Sequence, residues 1–147
     1  MADVTLREIT RDNLMECLRL RVAEGQEAFV APNAVSVAQS KFEADCHPMA
    51  VYAGERMVGF AMYQVEDGTG WLVRLMIDRA HQGKGYGRAA TLEVIRRLKA
   101  RPDCRCIRLS CVPANAGAAA LYRGLGFRDT GEVEHGENVM ELRDEAE

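Results

Sequence analysis

The feature that most constrains this chain is an apolar run that leads into a glycine-rich segment. Residues 71–77, WLVRLMI, are almost wholly apolar, as expected of a strand in the middle of a sheet that is covered on both faces. The segment 82–88, QGKGYGR, follows, and helical periodicity predicts a helix over residues 86–99. With an antiparallel hairpin predicted upstream, this order predicts a mixed α/β fold.

The glycine-rich segment also predicts an anion site. N–H groups in the first turn of a helix lack intrahelical partners, the helix dipole is positive there, and glycine lets a phosphate approach the backbone. Lys84 and Arg88 add positive charge. A Walker loop would need Ser or Thr where Gly85 stands, and a dinucleotide fold would need an acidic residue near the end of the next strand, residues 110–112. A ligand-free glycine turn is the structural alternative.

Turn residues divide the rest of the chain into short elements. The predicted elements are strands over 4–9, 49–53, 57–63 and 106–112, helices from Asp12, from Ser36 and over 116–125, and two final strands turning at 135–137. Ser36 and Gln39 fit a capping box. The side chains predicted to face inward from the helix over 86–99 are Ala89, Leu92, Ile95 and Leu98. At 147 residues without a linker or repeat, we expect a single domain over residues 1–147.

Composition and charge narrow the function classes. The chain has no run of about 18 apolar residues and no basic secretory start, which predicts a cytoplasmic protein without a membrane partner. Its five cysteines, without a completing histidine set, predict reduced thiols and no metal site.

The charges are segregated along the chain. Residues 68–127 contain 11 Lys and Arg against 3 Asp and Glu, whereas residues 1–67 contain 6 against 11 and residues 128–147 contain 2 against 8. The net charges are therefore +8 in the middle and −5 and −6 in the flanks. Acidic flanks and few interleaved aromatics argue against nucleic acid, and the basic middle suits a compact polyanion.

The glycine segment matches the phosphate motif of a known family. Gln82, Gly85 and Gly87 follow the pattern Gln/Arg-x-x-Gly-x-Gly/Ala, so the chain resembles the GNAT acetyltransferases. A second signature of that family follows at its usual spacing, in Asn115, Ala119, Leu121, Tyr122, Gly126 and Phe127. Other positions look like the bacterial spermine/spermidine (diamine) acetyltransferases, and with them the likeness covers nearly the whole chain. These positions are residues 58–63, Arg74, residues 77–78, Gly136, Glu137, Val139 and Met140.

The resemblance implies a mostly antiparallel mixed sheet with a V-shaped splay between its central strands and helices on both faces. It implies acetyl-CoA as co-substrate, no metal, and often a homodimer. The residues implied to bind acetyl-CoA are Leu75, Met76, Ile77, Gln82, Gly83, Lys84, Gly85, Tyr86, Gly87, Arg88, Asn115 and Tyr122. The Leu75 N–H would be the oxyanion donor, and the Tyr122 phenol would be the general acid for the departing thiol.

The implied acceptor is a primary amine, with a polyamine or diamine such as spermidine or spermine favoured. An alkylamine has a pKa of about 10.4 and must lose a proton before it attacks. The candidate acceptor residues, in two loops expected to frame that site, are Glu24, Glu27, Glu66 and Asp67. For each, solvated surface charge is the alternative explanation. A protein or peptide N-acetyltransferase and a non-catalytic acetyl-CoA sensor remain alternative functions.

Overall fold

The computed structural model describes residues 2–143, which form seven strands and four α-helices. Their bounds are β1 Thr5–Glu8, α1 Leu14–Arg19, α2 Asn33–Ser40, β2 Cys46–Ala53, β3 Arg56–Glu66, β4 Thr69–Ile77, α3 Tyr86–Lys99, β5 Cys106–Cys111, α4 Ala116–Gly124, β6 Phe127–Glu134 and β7 Glu137–Leu142. Short 3₁₀ turns lie at Glu27–Phe29 and Arg79–His81. None of the helices within residues 2–143 is long and apolar enough to cross a membrane.

The strands form one sheet that splits near its middle. Their order is β1-β2-β3-β4-β5-β7-β6, and every neighbouring pair is antiparallel except β4 and β5, which are parallel. β4 and β5 pair only as far as Leu72 opposite Leu109, although β4 continues to Ile77. A bulge at Val73, where the register with β3 shifts, increases the local twist of β4. The expected V-shaped splay is therefore confirmed.

Each face of the sheet packs on its own apolar cluster. We call them the α3/α4 face, whose core includes Leu98, Leu109 and Phe127, and the α1/α2 face, whose core includes Phe60 and Met76. Side chains alternate between these faces along the strands, except where a bulge such as that at Val73 interrupts the alternation. The face to which each side chain of the central strands points therefore decides which side chains can come together at the splay.

Two predicted helix starts are wrong. α2 begins at Asn33, directly after Pro32, so Ser36 lies inside the helix with its hydroxyl buried and caps nothing. Proline suits a helix start because its φ is already close to the helical value. Asp12 does not cap α1 either, because the residue at the N-cap is Asn13.

The bounds predicted for α3 are confirmed, but its inward face is rotated from the predicted one. Ile95 and Leu98 are buried as expected, whereas Leu92 is 43% exposed. The fully buried stripe contains Ala90, Thr91, Val94, Ile95 and Leu98. Thr91 can join it because its hydroxyl donates to the Gly87 carbonyl at 2.8 Å, which satisfies the buried polar group.

Candidate functional site

A cavity of about 980 Å³ opens where β4 and β5 diverge. Phe29 and Val30, from the segment between α1 and α2, line one part of it, and Leu121 and Tyr122 of α4 line another. These residues belong to opposite faces of the sheet, so the cavity reaches both. Its volume is within the usual range of small-molecule sites, roughly 300–1,000 Å³.

The glycine-rich segment forms one end of this cavity. Gly85 is the N-cap of α3 with φ +84°, and Gly83 also has a positive φ of +78°, a backbone region that favours glycine. The first turn of α3 contains no acidic residue, and His81 and Arg88 line the cavity beside it. Open backbone N–H groups at a helix N-terminus, with the Arg88 guanidinium beside them, fit the pyrophosphate of a nucleotide-type co-substrate.

The side chain of Gln82 holds this segment in place rather than facing the cavity with free donors. Its Nε2 donates to the Ile77 carbonyl and to Gln26 Oε1, both at 2.9 Å. A second link joins the same two loops, because the Arg21 N–H donates to Asp78 Oδ1 at 2.8 Å. The segment between α1 and α2 is thereby bound directly to the glycine-rich segment.

Hydrogen-bond alternation along β4 determines which backbone groups face the splay. The Asp78 N–H donates to the Val58 carbonyl of β3 at 2.8 Å. Because N–H groups alternate between the two sides of a strand, those of Leu75 and Ile77 point away from β3 and into the splay. The Ile77 carbonyl lies on the same side, where it accepts from Gln82. The Leu75 N–H is therefore oriented toward the cavity.

Tyr122 projects from α4 into the cavity with its ring buried. The ring packs edge to face on Phe127, at 5.9 Å between centroids. Within residues 2–143 its hydroxyl has no hydrogen-bond partner. Burial, with a smaller contribution from the nearby Cys111 thiol, raises the pKa of Tyr122 above its ordinary value. The phenol therefore keeps its proton at neutral pH and has that proton available for a ligand.

The predicted acetyl-CoA residues gather around this cavity, with Lys84 as the exception, since its side chain is exposed outside the lining. The cavity lining includes Leu75, Met76, Ile77, Gln82, Gly83, Gly85, Tyr86, Gly87, Arg88, Asn115 and Tyr122. Asn115 also has a local role, because its Oδ1 accepts from the Ala118 N–H at 3.2 Å and caps α4.

The acidic residues predicted for the acceptor are not brought together. Glu27 lines the cavity, whereas Glu24 is exposed outside it. Glu66, the last residue of β3, and Asp67, in the turn that follows it, lie at the end where β4 and β5 are still paired. At about 3.3 Å per residue, the six steps from Thr69 to Leu75 separate that turn from the splay by about 20 Å. The turn between β3 and β4 therefore lies outside the cavity and away from the splay.

Three polar side chains on the α1/α2 face of the cavity were missed as site residues: Arg74, Ser110 and Glu137. Arg74 donates from Nη2 to Gln39 Oε1 at 3.1 Å and from Nη1 to the Val73 carbonyl at 3.0 Å, while its buried Nε has no partner within residues 2–143. In the sequence, Arg74 and Glu137 are only points of likeness to the diamine acetyltransferases. The polar positions that alternate with buried ones along β5 could have indicated Ser110.

Comparisons with known proteins agree with this geometry. The family model "Acetyltransferase (GNAT) family" matches residues 11–127. Two Bacillus subtilis proteins are each 32% identical to this chain over 149 residues, which covers 93% of this chain and 96% of the relative. They are the spermine/spermidine N(1)-acetyltransferase of strain 168 and the probable spermine N(1)-acetyltransferase of subsp. natto strain BEST195. The aminoglycoside acetyltransferase AAC(6')-Ib, solved with acetyl-CoA, is 17% identical with a TM-score of 0.80, covering 98% of this chain and 95% of that one.

The family match spans most of the chain, and the two relatives align over nearly all of it. The fold, the splay and the glycine-capped helix are those that the resemblance led us to expect. This chain therefore belongs to the GNAT family and is an acetyl-CoA-dependent N-acetyltransferase.

Proposed function

We propose that the protein acetylates a polyamine or diamine by direct transfer from acetyl-CoA within a ternary complex. The observation that carries this proposal is the cavity that reaches both faces of the sheet through the splay. Acetyl-CoA would lie on the side of the glycine segment and Tyr122, and the amine would enter from the α1/α2 face. The polyamine class is supported by the two Bacillus relatives and by the acidic side chains Glu27 and Glu137 in the cavity lining.

On the donor side, acetyl-CoA supplies an activated acetyl thioester, and residues of this chain perform two tasks. The Leu75 N–H, free of sheet pairing on the splay side, would stabilise the negative charge that develops on the thioester oxygen. The Tyr122 hydroxyl would deliver its proton to the departing sulfur. Because burial raises the pKa of Tyr122 above the ordinary phenol value of about 10, the phenol keeps its proton until the thiolate develops beside it.

The cavity also contains a thiol, and its environment favours direct transfer over a covalent acetyl-enzyme. Cys111 is buried beside Tyr122, and this burial raises the pKa of its thiol. The nucleophilic form of cysteine is the thiolate, which burial in apolar surroundings disfavours at neutral pH. We therefore infer that the amine attacks the thioester itself.

A second candidate acceptor is an amine that carries a carboxylate, such as an amino acid or a peptide. One observation favours it, namely the Arg74 guanidinium in the cavity lining with its Nε unpartnered within residues 2–143. The same arginine is among the residues that resemble the polyamine enzymes, so its presence is compatible with either acceptor. A substrate comparison separates the two.

We expect spermidine and spermine to be acetylated with a higher kcat/KM than butylamine or free amino acids. The advantage should shrink as ionic strength rises, mainly through KM, because charges on exposed groups are screened over about 10 Å at 0.1 M salt. The kcat/KM of each amine is measured by following acetyl-CoA consumption at two salt concentrations. Efficient acetylation of an amino acid or peptide with inert polyamines would refute the polyamine assignment and leave the acetyltransferase activity intact.

Glu27 and Glu66 make a matched pair for locating the acceptor side. Glu27→Gln should raise the polyamine KM a few-fold, because an exposed charge pair contributes roughly 0.2–1 kcal/mol. Glu66→Gln, about 20 Å from the splay, should leave the polyamine KM unchanged. Both variants should keep the wild-type KM for acetyl-CoA. An equal rise in the polyamine KM for both would mean that overall charge, and not a local contact, attracts the amine.

A further inference from the structure

Most acidic residues of the β6–β7 hairpin already have a cationic partner. Arg108 pairs with Glu132 at 3.3 Å and with Glu141 at 2.8 Å, and Arg123 pairs with Asp129 at 3.0 Å. Among the residues that the structure describes, Glu134 and Glu137 form no ion pair. Of these two, only Glu137 lines the cavity.

Strand pairing places Glu137 at the edge of the splay. Val139 lies opposite Ser110, so Glu137, two residues earlier on β7, is on the same face as Ser110. Ser110 directly follows Leu109, the last β5 residue that pairs with β4. The Ser110 hydroxyl donates to Glu137 Oε1 at 3.0 Å, which holds the carboxylate against this wall of the cavity.

The opposite wall has the opposite charge. Arg74 projects from β4, and its bond to Gln39 draws the guanidinium toward α2, away from β5 and β7. The cavity on the α1/α2 face therefore has a cation on the β4 wall and a carboxylate on the β5–β7 wall. An acceptor with a second ammonium group gains electrostatically when that group lies beside Glu137 and its reacting nitrogen lies in the splay.

We propose that Glu137 is a specificity-determining residue that binds the non-reacting ammonium group of a di- or polyamine acceptor, with Ser110 orienting its carboxylate. This inference rests on the proposed polyamine acetylation and names the residue that recognises the second amine. Since the contact is remote from the bond that changes, it should act on acceptor affinity and on the choice between diamines and monoamines, and not on the chemical step.

The test compares Glu137→Gln with Glu134→Gln, a neighbouring acid outside the cavity lining. Glutamine retains the acceptor oxygen for Ser110, so the fold and the acetyl-CoA KM should persist in both. With Glu137→Gln we expect the KM for spermidine to rise about tenfold, the typical effect of losing one hydrogen bond to a charged group. The KM for butylamine, which has no second ammonium, and kcat at saturating spermidine should change little. Glu134→Gln should match wild type.

The possible outcomes distinguish a failure of the Glu137 contact from a failure of the proposed polyamine function. If wild-type protein acetylates spermidine and Glu137→Gln keeps its KM, the role of Glu137 is refuted while the polyamine function stands. If the KM for spermidine rises equally in both variants, the acidic hairpin acts as a general field and the specific contact is refuted. If the KM for butylamine rises as much as that for spermidine, Glu137 has a structural role only. Wild-type protein that is inert toward every polyamine refutes the proposed function and this inference together.

Discussion

Tyr122→Phe should lower kcat by about 10²–10⁴-fold, the usual contribution of a general acid, and leave acetyl-CoA affinity unchanged. The substitution removes the one polar atom that the buried ring presents to the cavity and keeps the packing on Phe127. The decrease in kcat is measured by rapid-quench kinetics under conditions where the chemical step limits turnover. Calorimetry with acetyl-CoA provides the binding control.

A matched control is Tyr63→Phe, which removes a hydroxyl from another buried tyrosine that does not line the cavity. It should retain wild-type turnover. Because burial raises the pKa of Tyr122, its acidic proton should persist past pH 10, and kcat/KM should rise toward high pH as the amine deprotonates. Wild-type turnover in Tyr122→Phe would reduce Tyr122 to a packing residue.

Gly87→Trp should abolish measurable acetyl-CoA binding, with a rise in Kd of at least about 100-fold. Losing two charge-assisted hydrogen bonds to phosphate, each about 1.5–3 kcal/mol, accounts for this size, because about 2.7 kcal/mol corresponds to 100-fold. A Cβ at Gly87 would lie 3.8 Å from Ile77 Cγ1 and 3.9 Å from Leu121 Cδ2, which is ordinary contact. The protein can therefore hold a methyl group there, whereas an indole must extend into the cavity.

Gly87→Ala is the control for this experiment, because its methyl group fits and should preserve both the fold and most of the affinity. Gly85 is less suitable for the test, since its φ of +84° would strain any side chain and confuse conformational with steric effects. Thermal unfolding and circular dichroism check that Gly87→Trp folds. Unchanged acetyl-CoA affinity in a folded Gly87→Trp protein would overturn the placement of the phosphate site.

Local patterns were sufficient to predict the elements that build the donor side. The apolar run that became β4 and the helix Tyr86–Lys99 follow from periodicity, and the turn between them follows from glycines that adopt positive φ. Each of these signals depends on residues within a few positions of one another. The family motifs added Leu75 and Tyr122, which local patterns alone identify only as apolar strand and helix residues.

Errors arose where a local signal competes with a contact distant in sequence. Ser36 fits a capping pattern, yet Pro32 and Asn33 start α2 one turn earlier and bury Ser36. Leu92 satisfies helical spacing, yet the rotation of α3 about its axis against the sheet buries Thr91 and Val94 and leaves Leu92 exposed. Periodicity predicts that a helix has an apolar stripe, while the neighbouring strands decide its exact rotation.

The charge segregation seen along the chain is not preserved in space. The tertiary structure joins the basic middle to its acidic flanks through ion pairs such as Arg101 with Asp45 and Arg108 with Glu141. The flanks therefore do not form one acidic border for an acceptor. Instead, two acidic side chains lining the cavity within residues 2–143, Glu27 and Glu137, come from segments more than 100 residues apart.

The sequence by itself determined the glycine-capped helix and the apolar central strand, because backbone conformation at a glycine and side-chain periodicity are short-range properties. The family came from the resemblance of its two motifs. Only the tertiary structure decided which polar groups face the splay. Strand order and register place Ser110 and Glu137 opposite Arg74, and they leave Glu66 at the paired end of the sheet. Register depends on pairing between distant segments, and a shift of one residue would turn every side chain to the other face.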